Sequence, residues 1–154
     1  EVVREEMAGV RNFAHIGTPI ACAGAISPSA VPEIEQMGFA SIINLRRATE
    51  EGANVEQEAA AVAATGLKYF HIPYDGSADP VVAEQFLDAI TSQGVEPAFV
   101  HCAGGGRAAT MWLLKRIAID HWDVERATEE AIALGQTNEV VRQFAIDYGQ
   151  AHQR

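Results

Sequence analysis

The chain has 154 residues, with 21 acidic and 11 basic side chains and a formal net charge of −10. The length suits one compact domain, residues 1–154, or at most one domain with a short appendage, and the surplus of acids argues against the basic face that nucleic acid or an anionic membrane requires. With 48% hydrophobic residues the chain can bury a core, no apolar run approaches the roughly 18 residues of a membrane span, and Cys22 and Cys102 are too few for a disulfide scaffold.

In chain order, residues 18–26 read as a short strand of small residues closed by Ser27-Pro28. Pro28 to Met37 reads as a helix stopped by Gly38, a left-handed C′ glycine. The β-branched run 40–45 lacks helical spacing and predicts a buried strand. Asn54 to Thr65 is an alanine-rich helix, with Asn54 as N-cap, Gln57 at the capping-box position and Gly66 past its end. Residues 67–73 form a third buried strand, with His71 as a core histidine. Asp79-Pro80 starts a helix reaching about Gln93, with Asp79 as N-cap. Residues 97–101 form a fourth strand, 107–121 a largely apolar helix with Trp112, Leu113 and Ile117 as core, and two helices follow from near Asp123 and Thr137.

Strands alternating with helices predict an α/β three-layer sandwich: a mainly parallel sheet of four to five strands with helices on both faces. Ligands bind such sheets at the carboxyl ends of the strands. Ser27, Arg46, Asp75 and Cys102 each follow a strand and are expected to share that crevice.

The chemistry concentrates in residues 98–110, AFVHCAGGGRAAT. Gly104, Gly105 and Gly106, after Ala103, let successive N–H groups curl inward as an anion nest. The helix that follows aims its positive end at the same point, and the Arg107 fork can grip two oxygens. Such surroundings favour thiolate over thiol at Cys102. Adjacent strand side chains point to opposite faces, so His101 is expected behind the loop, anchoring it by hydrogen bonds rather than acting as a base.

His101-Cys102-x4-Arg107 resembles the phosphate loop of the cysteine-dependent phosphatases. The likeness is nearest to the bacterial dual-specificity-phosphatase-like group, related to the tyrosine phosphatases and also found as a domain fused to β-lactamase-like hydrolases. Gly38-Phe39-Ala40-Ser41-Ile42-Ile43-Asn44-Leu45-Arg46 followed by Glu50 is similar to that group's G-F-x-x-V-I-N-L-R…E segment. Tyr69-Phe70-His71-Ile72-Pro73 is similar to its third strand, and Phe99-Val100-His101-Cys102 to its nucleophile strand. The resemblance implies a cysteine-phosphatase fold and hydrolysis of phosphomonoesters through a cysteinyl-phosphate. The sequence departs from most tyrosine phosphatases in having four residues between Cys102 and Arg107, as rhodaneses do, and Ala108 where a hydroxyl residue commonly follows the arginine.

Such a hydrolase needs a proton donor across the crevice. Asp75, followed by Gly76, is the first candidate; Asp79, already a helix cap, is the second, and neither is the third reading. Arg46 either lends charge at the crevice edge or pairs with Glu50. Cys22 is either a packed core thiol or a disulfide partner for Cys102. His15, His121 and His152 show no metal-site spacing, so no metal or cofactor is expected. A phosphorylated small molecule or phosphoprotein is the expected partner, without nucleic acid or membrane insertion. A sulfurtransferase working through a Cys102 persulfide and a non-catalytic phosphoanion-binding module are the alternatives. The chain starts at Glu1 rather than Met, which predicts removal of upstream residues and leaves the location open, cytoplasmic or exported after removal of a signal peptide.

Overall fold

Short apolar runs pair into a six-stranded sheet in the computed structural model, which describes residues 1–17 and 19–154. The strands are β1 (Val3–Arg4), β2 (Ala14–Ile16), β3 (Ile20–Ala23), β4 (Ser41–Asn44), β5 (Lys68–His71) and β6 (Ala98–His101), in spatial order β1-β2-β3-β6-β4-β5. β3, β6, β4 and β5 run parallel, while β1 and β2 join one edge antiparallel. Every residue of β3, β4 and β6 is buried, because helices cover both faces. The expected α/β class and mainly parallel sheet stand, with two extra strands at the amino-terminal edge.

The registers place the site. Ala23 lies beside His101, His101 beside Asn44, and Asn44 beside His71, so the four parallel strands end in one row. Each following loop therefore leaves the sheet at the same edge.

Alternation along the strands splits the core. Ala21, Ala23, Ile42 and Phe99 face one layer, packing with Val31 and Ile34 of α1 (Val31–Gln36) and Val62 of α2 (Val55–Ala63). Cys22, Ile43 and Val100 face the other, formed by α3 (Pro80–Ile90), α4 (Gly106–Ala118), α5 (Val124–Leu134) and α6 (Glu139–Ala151). Trp112, Leu113 and Ile117 belong to this second layer.

Several local readings need correction. The strand expected over 18–26 covers only Ile20–Ala23, because the chain then turns to meet the loop after β6; Thr18 lies outside the described residues. Residues 28–30 are a 3-10 turn leading into α1. β5 is an edge strand, so it is half-exposed rather than buried, and His71 is only part-buried, with Nε2 against the Arg46 carbonyl. Asn54 adopts a left-handed φ of 45° and its side chain makes no cap bond. Asp79 does cap α3, accepting from the amides of Val81 at 3.0 Å and Val82 at 3.2 Å. Asp123 and Asn138 cap α5 and α6 in the same way, so the last helix is capped one residue after Thr137.

Candidate active site

Residues 102–105 connect β6 to α4, and the carbonyls of residues 102–104 are turned outward one after another. The Cys102 carbonyl meets His101 Nδ1 at 3.3 Å, the Ala103 carbonyl accepts from the Ala25 amide at 2.9 Å, and the Gly104 carbonyl accepts from Asn12 Nδ2 at 3.0 Å. The Cys102 amide donates to the Ala23 carbonyl, and the outward carbonyls leave the amides that follow it for the interior of the loop. The Gly105 amide donates to Cys102 Sγ at 3.1 Å. Gly105 holds a φ of 107°, a left-handed conformation that costs glycine little. The first amides of α4 have no acceptor within the helix and point the same way. Cys102 is 1% exposed at the floor of this nest.

Arg107, in the first turn of α4, reaches across to Glu50. Its Nη1 and Nη2 donate to the two carboxylate oxygens at 2.7 and 2.9 Å, and Nη1 also donates to the Tyr74 carbonyl at 2.8 Å. A guanidinium has five N–H donors; these three bonds leave two for an anion. Arg46 Nε lies 3.3 Å from Glu50, and its Nη groups donate to the carbonyls of Glu51 and Gly52. Arg46 is thus a buried brace for the loop after β4. The Arg47 amide adds a bond to Glu50 at 2.7 Å. These donors, Arg107 first, pull the Glu50 pKa down to about 2 from an ordinary 4.5. Glu50, with Cys102 nearby, in turn raises that of Arg107.

Asp75 and Arg107 line the same cavity of about 300 Å³, with Tyr74, Gly76, Thr110 and Gln136. Asp75 is exposed and its Oδ1 accepts from the Ser77 hydroxyl at 2.6 Å and amide at 2.9 Å; these bonds lower its pKa, the hydroxyl most. Asp79 is occupied with capping α3. Tyr74 is 1% exposed and donates to the Ser77 carbonyl, so it packs beneath the loop. Ala108 is fully buried, and the Thr110 hydroxyl on the next turn donates to the Gly106 carbonyl. Ser27 is not brought to this cluster, since its hydroxyl meets Ser29 and its amide the Gly9 carbonyl.

Cys22 and Cys102 are both free thiols on the same face of the sheet. Burial, then the Cys102 charge, pushes the Cys22 thiol well up. His101 lies on the opposite face, fully buried, with Nε2 2.8 Å from Glu58 Oε2. Among the described residues no group of three or more His, Cys, Asp or Glu side chains could hold a metal ion. No helix of the described residues is long and apolar enough to cross a membrane.

The sequence offered Glu50 as one of two readings for Arg46 and did not reveal its larger role toward Arg107. Nor did it reveal Asn12, whose positive φ of 51° turns its amide onto the loop. Contacts 57 and 92 residues apart leave no local pattern to read.

A protein of Agrobacterium fabrum described as beta-lactamase hydrolase-like is 38% identical over 88 residues; this chain spans about a fifth of that relative's length. Among solved structures, a DUF442 phosphatase candidate from Shewanella putrefaciens superposes with a TM-score of 0.76 at 17% identity, over 95% of this chain and 96% of that one. The core catalytic domain of the PP-IP phosphatase Siw14 from S. cerevisiae matches with a TM-score of 0.72 at 17% identity, over 93% and 88% of the two chains. TpbA of P. aeruginosa, in complex with pTyr, matches with a TM-score of 0.67 at 14% identity, over 96% and 88%. At these identities the likeness establishes a shared fold, that of the cysteine phosphatases. The sequence match is more specific, because it runs from Asn12 beside the loop to Ile119 past the end of α4: over residues 12–119 the chain fits the phosphatase-like domain of beta-lactamase hydrolase-like proteins, and it belongs to that family.

Proposed function

We propose that the chain is one phosphatase-like unit, and that it hydrolyses phosphomonoesters through a cysteinyl-phosphate on Cys102. The observation that carries this reading is the loop geometry, with its carbonyls tied outward and the Gly105 amide already bonded to Sγ. Sγ attacks phosphorus as the bond to the leaving oxygen breaks. The loop amides and the two free donors of Arg107 hold the equatorial oxygens, where charge is greatest in the transition state. Asp75 gives its proton to the leaving oxygen, then takes one from the water that attacks phosphorus and releases the thiolate. Glu50 keeps Arg107 in register, and Arg46 braces Glu50.

The cavity of about 300 Å³ lined by Asp75, Arg107, Thr110 and Gln136 supports a phosphorylated small molecule or side chain as substrate. Phosphotyrosine, bound by TpbA, is one such group. The test is hydrolysis of p-nitrophenyl phosphate in reducing, metal-free buffer. Wild type is expected to turn it over, while Cys102→Ser loses turnover yet still binds tungstate. Activity surviving in Cys102→Ser would defeat the mechanism. A folded but inactive wild type would defeat the hydrolase reading and make thiosulfate sulfur transfer the next assay.

A further inference from the structure

Behind the loop lies a buried chain of polar side chains that the chemistry above does not use. Glu58 on α2 is 1% exposed, although its neighbours Glu56 and Gln57 are exposed. Its Oε2 lies 2.8 Å from His101 Nε2 and accepts from Tyr69 Oη at 3.1 Å. Asn44 Nδ2 donates to Tyr69 Oη at 3.0 Å, and Asn44 Oδ1 accepts from the Arg46 amide at 2.9 Å. At the other end, His101 Nδ1 meets the Cys102 carbonyl. Side chains of α2, β4, β5 and β6 thus form one connected network, and its two ends are the two loops that build the site.

Burying a carboxylate is costly unless its partners compensate it. Val62, one turn along α2, shows that this face otherwise takes an apolar side chain. The carboxylate does something that such a side chain would not. The ring has an oxygen against each nitrogen, the Glu58 carboxyl at Nε2 and the Cys102 carbonyl at Nδ1. The carboxyl against Nε2 fixes the orientation of the ring. The ring then holds the Cys102 carbonyl away from the nest, which keeps the loop amides turned inward.

We propose that Glu58 is a positioning residue for the phosphate loop: it orients the His101 ring so that Nδ1 faces the Cys102 carbonyl and, through Tyr69 and Asn44, ties the loop to the Arg46–Glu50 segment. The inference rests on the reading of Cys102 as nucleophile. The charged and titratable groups that bear on Cys102 are Cys22 from β3, Glu58 through His101 from α2, and Arg107 of α4 with its partner Glu50.

The experiment compares wild type with Glu58→Gln, which keeps the size and removes the charge. The Cys102 thiolate is followed against pH by its ultraviolet absorbance, with Cys102→Ser as blank, and kcat and KM are measured on p-nitrophenyl phosphate. In folded Glu58→Gln the thiolate titration is expected to move to higher pH, and kcat to fall roughly tenfold with KM changed less than about twofold. A folded variant with wild-type thiolate titration and wild-type kcat would overturn the proposal, leaving Glu58 a role in stability alone. If the variant fails to fold, nitrogen-15 NMR of the wild-type ring decides: hydrogen on Nδ1, facing the Cys102 carbonyl, supports the proposal, and hydrogen on Nε2 alone overturns it. An inactive wild type would remove the phosphatase reading, while the thiolate comparison would still decide the role of Glu58.

Discussion

Glu50 accepts hydrogen bonds from Arg107, Arg46 and the Arg47 amide, so its ionised form is favoured in the folded chain. Its pKa falls from 4.5 to about 2, which means that the unfolded chain binds the proton more readily between those values. The stability it contributes is complete above about pH 4.5 and is lost as pH falls toward 2. Glu50→Gln should therefore melt below wild type at pH 7, with the gap closing as pH falls through that window. A gap that stays constant across those pH values would contradict the ion-pair account. Asp75 presents a related case with a different readout. The Ser77 hydroxyl lowers its pKa, which works against holding a proton at neutral pH. Ser77→Ala removes that donor and should raise the Asp75 pKa. If Asp75 is the acid, the basic limb of the kcat profile moves to higher pH in the variant. An unmoved limb would take that role from Asp75.

At the scale of elements, α4 carries Arg107 at its first turn and packs along α6, so the α4–α6 contact sets where the guanidinium starts. Gly149 makes this contact close. A Cβ there would stand 2.9 Å from Ile117 Cγ2 and 3.0 Å from Ile117 Cβ, and a β-branched side chain cannot swing clear. Alanine would gain about 1 kcal/mol of helix propensity over glycine. Overpacking costs about 1–3 kcal/mol, so the clash should win. Gly149→Ala is expected to lower unfolding stability by roughly 1 kcal/mol in urea titration. A rise in stability would mean that the two helices have room to part. Gly24 shows a similar approach at the site itself, because a Cβ there would lie 2.5 Å from the Ala103 carbonyl. The end of β3 is thereby pressed against the loop after β6, and this is why the strand stops at Ala23, short of the expected 26.

Across the whole molecule, the flush ends of β3, β6, β4 and β5 bring loops from distant parts of the chain to one edge. Much of this was legible in the residues. Ile42–Ile43 and Phe99–Val100 are apolar on both faces of their strands, which is the mark of a sheet covered twice. Asp79-Pro80 and Gly38 punctuate helices through their own backbone chemistry. β1 and β2 were not legible, since strands of two and three residues are too short to show a period. The edge position of β5 was hidden too, because no feature of Lys68–His71 reveals which strand lacks a neighbour.

The sequence by itself determined the alternation of strand and helix and the nest of residues 102–107, because hydrophobic period and glycine conformational freedom are local properties. Only the tertiary structure decided which acids serve that nest. Glu50 and Glu58 read as two of many glutamates in an acidic chain. One is drawn to Arg107 and the other buried against His101, because a carboxylate's partner is set by what the fold places within about 3 Å of it.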